Sequence, residues 1–109
     1  MSGEEFEKFM EQYFISKGYN VIRTPLSGDY GIDLIIEHEF GKIGIQLKRY
    51  NDKVSLSAVQ EVVAGLNHYG LNSGMVITNN YFQPSAIRLA KDNNITLWDR
   101  DVLLEKTRI

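Results

Sequence analysis

The 109-residue chain contains no cysteine. That excludes disulfides and thiolate metal sites, and it fits a reducing compartment. Two histidines, His38 and His68, are too few for an imidazole-rich centre, so any metal here would be a hard ion held by oxygen. No apolar run approaches the ~18 residues of a membrane span, and the N-terminus lacks the basic-then-apolar pattern of a signal peptide. A cytoplasmic location is expected. Repeats, low-complexity tracts and linkers are missing too. Positive charge is not in excess either: a net charge of -2 argues against a protein that binds nucleic acid by bulk electrostatics.

What is present is ordinary for a globular domain, with 43% hydrophobic and 24% charged residues. The length suits one domain over residues 1–109, with a single modest core. Ser2-x-x-Glu5 resembles a capping box, and Phe6, Phe9, Met10, Tyr13 and Phe14 follow at helical spacing, which predicts a first helix ending near Gly18. NVIRTP reads as a strand closed by Pro25. After the turn LSGDYG come two strands, IDLIIEHE and KIGIQLKRY. Ser57-x-x-Gln60 opens a second helix, GMVITN a strand, PSAIRLAKDN a helix with proline in its first turn, ITLWD a strand and DVLLEKTR a closing helix. The order α-β-β-β-α-β-α-β-α mixes tight turns with helical crossovers. It predicts an α/β fold with a mixed sheet flanked by helices on both faces.

One constellation exceeds what a core needs. A hairpin turning at Phe40-Gly41 would set Glu39 opposite Lys42 and Asp33 opposite Lys48, with Gln46 on the same face. Cross-strand neighbours on one face lie ~5 Å apart and diagonals ~7 Å. A carboxylate and an amide oxygen are hard ligands suited to Mg²⁺, and a lysine beside them can orient water or meet phosphate charge. A second carboxylate would strengthen the set. Of Glu4, Glu5, Glu7 and Glu11 on the first helix, Glu7 lies closest to the apolar stripe at ~100° per residue, so it alone would look toward a sheet site. Blander readings stand beside these: Asp33 and Asp29 as turn residues, Glu7 as a boundary residue paired with lysine, and Lys48-Arg49 as a solvated sheet edge. Arg23, Lys42, Lys48, Arg49 and Lys53 form a local basic cluster, or simply a solvated surface.

Phe6-Glu7, Gly18-Tyr19, SGDYGIDLII, IQLKRY, AVQEVVAGL, VITNNYFQPSAIRLA and ITLWDRDVL, in this order, resemble the Mrr-type restriction endonuclease domain of the PD-(D/E)xK nuclease superfamily. The likeness runs over nearly the whole chain. The block from Val76 to Ala90 separates such domains from archaeal Holliday junction resolvases, which share only the front half. The resemblance implies a restriction-endonuclease-like fold and an endonuclease that uses Mg²⁺ or Mn²⁺ to hydrolyse DNA. It makes Asp33 the metal-binding aspartate, Gln46 the occupant of the second ligand position, Lys48 the catalytic lysine and Glu7 the helix glutamate. Gln60 would be a polar contributor near them, and Arg49, Lys42, Lys53 and Arg23 would contact DNA.

Cutting both strands implies a homodimer, with Tyr69 or Tyr81 near its interface. Domains of this kind are usually joined to a separate recognition domain, so the chain is expected either to belong to a longer protein that has one or to be a minimal nuclease that holds DNA through its basic patch or a dimer partner. Two rivals are a non-catalytic DNA-binding module of the same fold and a junction resolvase.

Overall fold

The computed structural model describes residues 2–25 and 31–108. The rest of the expected LSGDYG turn, Asp29 included, lies outside the described residues. Helix α1 (Gly3–Ser16) begins on the expected capping box: Glu5 N donates to Ser2 Oγ, and Ser2 N donates to Glu5 Oε1, each at 3.1 Å. Its Phe6, Met10 and Phe14 are buried. The chain then reverses through Gly18, whose φ of +94° lies in a region that favours glycine.

Strands β1 (Asn20–Arg23), β2 (Leu34–His38) and β3 (Gly41–Lys48) follow. Then come α2 (Leu56–Tyr69), β4 (Ser73–Thr78), α3 (Pro84–Asp92), β5 (Ile95–Trp98) and α4 (Arg100–Lys106). The five strands form one sheet in chain order, antiparallel from β1 to β3 and parallel from β3 to β5. The parallel pairs are those joined by a helix, as the sequence order required. The second helix departs from its expected start. It opens at Leu56 after Ser55, with no side-chain cap, and the Ser55 and Ser57 hydroxyls bond each other at 2.8 Å.

The hairpin register also departs from expectation. Glu37, not Glu39, pairs with Lys42, and His38 pairs with Gly41, so Glu39 and Phe40 form the turn. Leu34 pairs with Ile45, which puts Asp33 across from Gln46 and diagonal to Lys48 rather than opposite it. The slip is two residues. Side chains alternate with period two, so an even slip exchanges partners but leaves every residue on its face.

Two apolar clusters sandwich the sheet. Leu34, Ile36, Ile45, Leu47, Met75 and Ile77 pack under α1 and α4 with Phe6, Met10, Phe14 and Leu103. Ile32 and Val76 face α2 and α3 with Val59, Val62, Ala86 and Ala90. Ile45 and Leu47 point to the first cluster, so Gln46 and Lys48 between and beyond them point to the α2 side. Gln46 is thus carried into the buried layer at 2% exposure, a polar group among apolar ones.

Candidate functional site

Asp33 sits just before β2 and is held from both sides by backbone bonds. Thr24 N donates to its carbonyl at 3.1 Å, and its own N–H donates to Ile45 O at 2.8 Å. Its side chain is fixed as well, because Leu47 N donates to Oδ2 at 2.7 Å. The aspartate is therefore pinned to the middle strand between Gln46 and Lys48, where only a rigid backbone could put it. Burial pushes the Asp33 carboxyl above its ordinary value. The Leu47 N–H and the Lys48 ammonium oppose the rise, and the charge of Glu61 adds to it.

Gln46 donates from Nε2 to Glu61 Oε2 at 3.0 Å, while its carbonyl oxygen Oε1 is buried with no hydrogen-bond partner. Leaving such an acceptor unpaired costs about 1–3 kcal/mol. Lys48 reaches the same Glu61 oxygen at 3.6 Å, with its side chain 18% exposed against 47% for the glutamate. Lys48 Nζ also lies 5.3 Å from the centre of the Tyr50 ring. Glu7 approaches from the other layer. Its carboxyl is pushed up first by burial and then by the charge of Asp33, against the pull of Arg23.

The structure therefore brings Asp33, Gln46 and Lys48 together on one face at the C-terminal end of β3, with Glu7 in electrostatic reach of Asp33. Among the described residues, no group of three or more His, Cys, Asp or Glu is placed to share a metal ion. A cation here would need the Gln46 carbonyl alongside Asp33. Oxygen donors of this kind fit a hard divalent ion, and the orphaned Oε1 is the atom such an ion would satisfy.

Other expectations fare differently. Gln60 is exposed on α2. The polar contributor from that helix is instead its neighbour Glu61. At ~100° per residue, the helix's apolar residues Ala58, Val59, Val62, Val63 and Leu66 leave Gln60 and Glu61 almost equally far from the centre of their stripe. The arc that is buried contains Ala58, Val59, Val62 and Gly65. Val63 and Leu66 are only half-buried while Gly65 is enclosed, so the buried arc is centred roughly 40° from the large apolar residues, with Glu61 at its flank and Gln60 on its far side.

The basic cluster divides. Arg49 and Lys53 are exposed and border a concavity of about 400 Å³ with Tyr50, Asn51 and Asp52. That loop is tied at both ends to the loop after β4. Tyr50 N donates to Asn79 Oδ1 at 2.9 Å and Val54 N to Tyr81 O at 2.8 Å. Arg23 is paired with Glu11 at 3.2 Å, near the site end of β1. Lys42 does not belong. It pairs with Glu37 at 3.3 Å, six residues up the strand from Lys48, or ~20 Å at 3.3 Å per residue. Tyr69 is half-buried in the α2–α3 cluster, so of the two suggested interface residues only Tyr81, at 38% exposure, is open at the surface.

A family model described as Mrr_cat, restriction endonuclease, matches residues 1–106. Among curated proteins, none matches. Solved structures do. The DNA modification-dependent restriction endonuclease AspBHI is 17% identical over 95% of this chain and 30% of its own, with a TM-score of 0.76. A repair endonuclease from Pyrococcus abyssi is 20% identical over 91% of this chain and 47% of its own, at 0.63. The Holliday junction resolvase Hjc of Archaeoglobus fulgidus is 19% identical over 70% of this chain and 62% of its own, at 0.56. The chain thus spans less than two thirds of each of these proteins. At such identities the likeness establishes the restriction-endonuclease-like fold.

Proposed function

Since the chain belongs to the restriction endonuclease family whose Mrr_cat model spans residues 1–106, we propose that it hydrolyses DNA phosphodiesters with a divalent metal ion, Mg²⁺ or Mn²⁺. The observation that carries the reading is the buried, unpartnered Oε1 of Gln46 beside a carboxylate whose ionised form burial disfavours. Both are relieved by one cation. Asp33 and Gln46 would hold it, with Glu7 completing the negative charge from α1. Such an ion acidifies a water and offsets charge on the phosphodiester.

Lys48 keeps an ammonium at the edge of the ligand set, part-sheltered from solvent, where it meets the charge that develops on phosphorus oxygens. Arg49 and Lys53, on their braced loop, contact flanking phosphates. Residues 1–109 act as one catalytic domain in the cytoplasm. No helix of the described residues is long and apolar enough to cross a membrane. Cutting both strands of a duplex takes two such sites, supplied by a homodimer, and sequence preference comes from a recognition domain outside this chain.

The test is cleavage of supercoiled plasmid with and without Mg²⁺ or Mn²⁺, beside Asp33→Ala and Lys48→Ala. Metal-dependent nicking or linearisation that both substitutions abolish is the expected result. A second reading, a DNA-binding module without cleavage, draws on the lack of any three-carboxylate cluster among the described residues. It expects a gel shift with no cut product in either metal. A third, a junction resolvase, expects four-way junctions to be cut in strong preference to linear duplex.

A further inference from the structure

We infer that Glu61 is a positioning residue: its carboxylate turns the Gln46 amide so that Oε1 faces the cation site, and it holds Lys48 beside that oxygen. The inference rests on the metal-dependent reading above. Its basis is the asymmetry of an amide. Only the oxygen end binds a metal, and the nitrogen end repels one, so a glutamine at a ligand position needs something to set its orientation. A carboxylate accepts and never donates when ionised. Glu61 Oε2 at 3.0 Å from Gln46 therefore selects the nitrogen and excludes the flipped amide, which would set carbonyl oxygen against carboxylate oxygen. The opposite end of the amide is left buried and unpaired.

Glu61 reaches Lys48 with the same oxygen, at 3.6 Å, so one side chain aligns two members of the site. Its own position is set by the backbone. At Gly31, where φ is +66°, a Cβ would stand 2.6 Å from the Glu61 carbonyl oxygen, so α2 approaches the Asp33 loop as closely as only a glycine allows. The arrangement also moves negative charge off the ligand and onto the group behind it. A neutral ligand thereby works in a site whose carboxylates already repel.

The experiment is Mn²⁺ titration calorimetry, with melting temperatures measured in EDTA, on the whole chain. It compares the unmodified protein with Asp33→Asn, Glu61→Gln, Gln46→Glu and the exchange of both, Gln46→Glu with Glu61→Gln. Glu61→Gln alone should weaken Mn²⁺ binding by about 10-fold or more, as loss of an orienting partner does elsewhere. Gln46→Glu alone should lower the melting temperature, since it faces Glu61 with a like charge and no donor.

In that background Glu61→Gln should reverse sign. It should raise the melting temperature and bring Mn²⁺ affinity to at least the unmodified level, because the new amide donates to the new carboxylate. A Glu61→Gln protein that binds within about 2-fold of the unmodified chain overturns the inference, as does a loss that persists in the exchange. If the unmodified chain binds no Mn²⁺, or Asp33→Asn binds it equally well, the metal site itself fails and this inference falls with it.

Discussion

The Asp33 carboxylate accepts the backbone N–H of Leu47 at 2.7 Å, which makes the start of β2 and the end of β3 one rigid unit. The acceptor is a charged group and the donor an amide that has no freedom to move, so the bond is of the stronger, charge-assisted kind. Everything the site does depends on it. The bond sets where the charge stands relative to Gln46 and Lys48.

Asp33→Asn keeps an oxygen for Leu47 and removes the charge. It should preserve the fold by circular dichroism and abolish divalent-ion binding by calorimetry. Lys48→Ala should retain the ion and lose ~100-fold or more in plasmid nicking rate, the usual effect of deleting one charge-stabilising group. Equal metal affinity in Asp33→Asn and the unmodified chain would remove Asp33 from the ligand set.

The pH dependence of stability has a definite sign. Burial raises both Asp33 and Glu7 above their ordinary carboxyl values. The folded chain thus holds these protons more tightly than the unfolded chain does. Their contribution is fully present below the unfolded values, about 4, and is lost as pH rises through the higher folded ones. In EDTA, the unmodified protein should lose stability relative to Asp33→Asn as pH rises through that window. Urea midpoints at a series of pH values read this directly, and a difference that stays flat would contradict it. At neutral pH, Mn²⁺ should restore the loss, because it binds the folded state alone.

Gly31→Ala combines a left-handed backbone with a contact too short for any Cβ. The strain alone costs about 1–3 kcal/mol. Relief requires α2 to retreat at Glu61, which lengthens its bonds to Gln46 and Lys48. Urea denaturation should show the destabilisation, and Mn²⁺ affinity should fall with it. A neutral substitution would mean the loop yields instead of the helix.

Arg49→Ala and Lys53→Ala should each weaken duplex binding about equally for all sequences and reduce the slope of log K against log[salt] by ~1. Lys42→Ala should leave both unchanged, because that lysine is paired with Glu37 at the far end of the hairpin. Gel shifts across a salt series separate the two classes. A slope change in Lys42→Ala would place DNA along the whole hairpin.

The sequence alone determined the elements and the faces of the sheet. Leu34 and Ile36 of β2 and Ile43, Ile45 and Leu47 of β3 recur with period two toward one core, so Asp33, Gln46 and Lys48 share a face in every register that differs by an even number of residues. The two-residue slip from the expected pairing changed partners and kept that face. The capping box at Ser2 and the turn at Gly18 were equally local, since each depends on residues within reach of one another along the chain.

Tertiary structure decided what meets that face. Lys42 and Lys48 are close in sequence, yet an extended strand carries them ~20 Å apart, and only one of them reaches the site. Gln60 and Glu61 are adjacent on a helix and almost symmetric about its large apolar residues. The choice between them came from how α2 rolls onto the sheet over Gly65 and how near it comes to Gly31. Local pattern decides the face on which a side chain projects. The distance from that face to the next element is fixed by side chains that are absent, and a glycine records it only once both surfaces are in place.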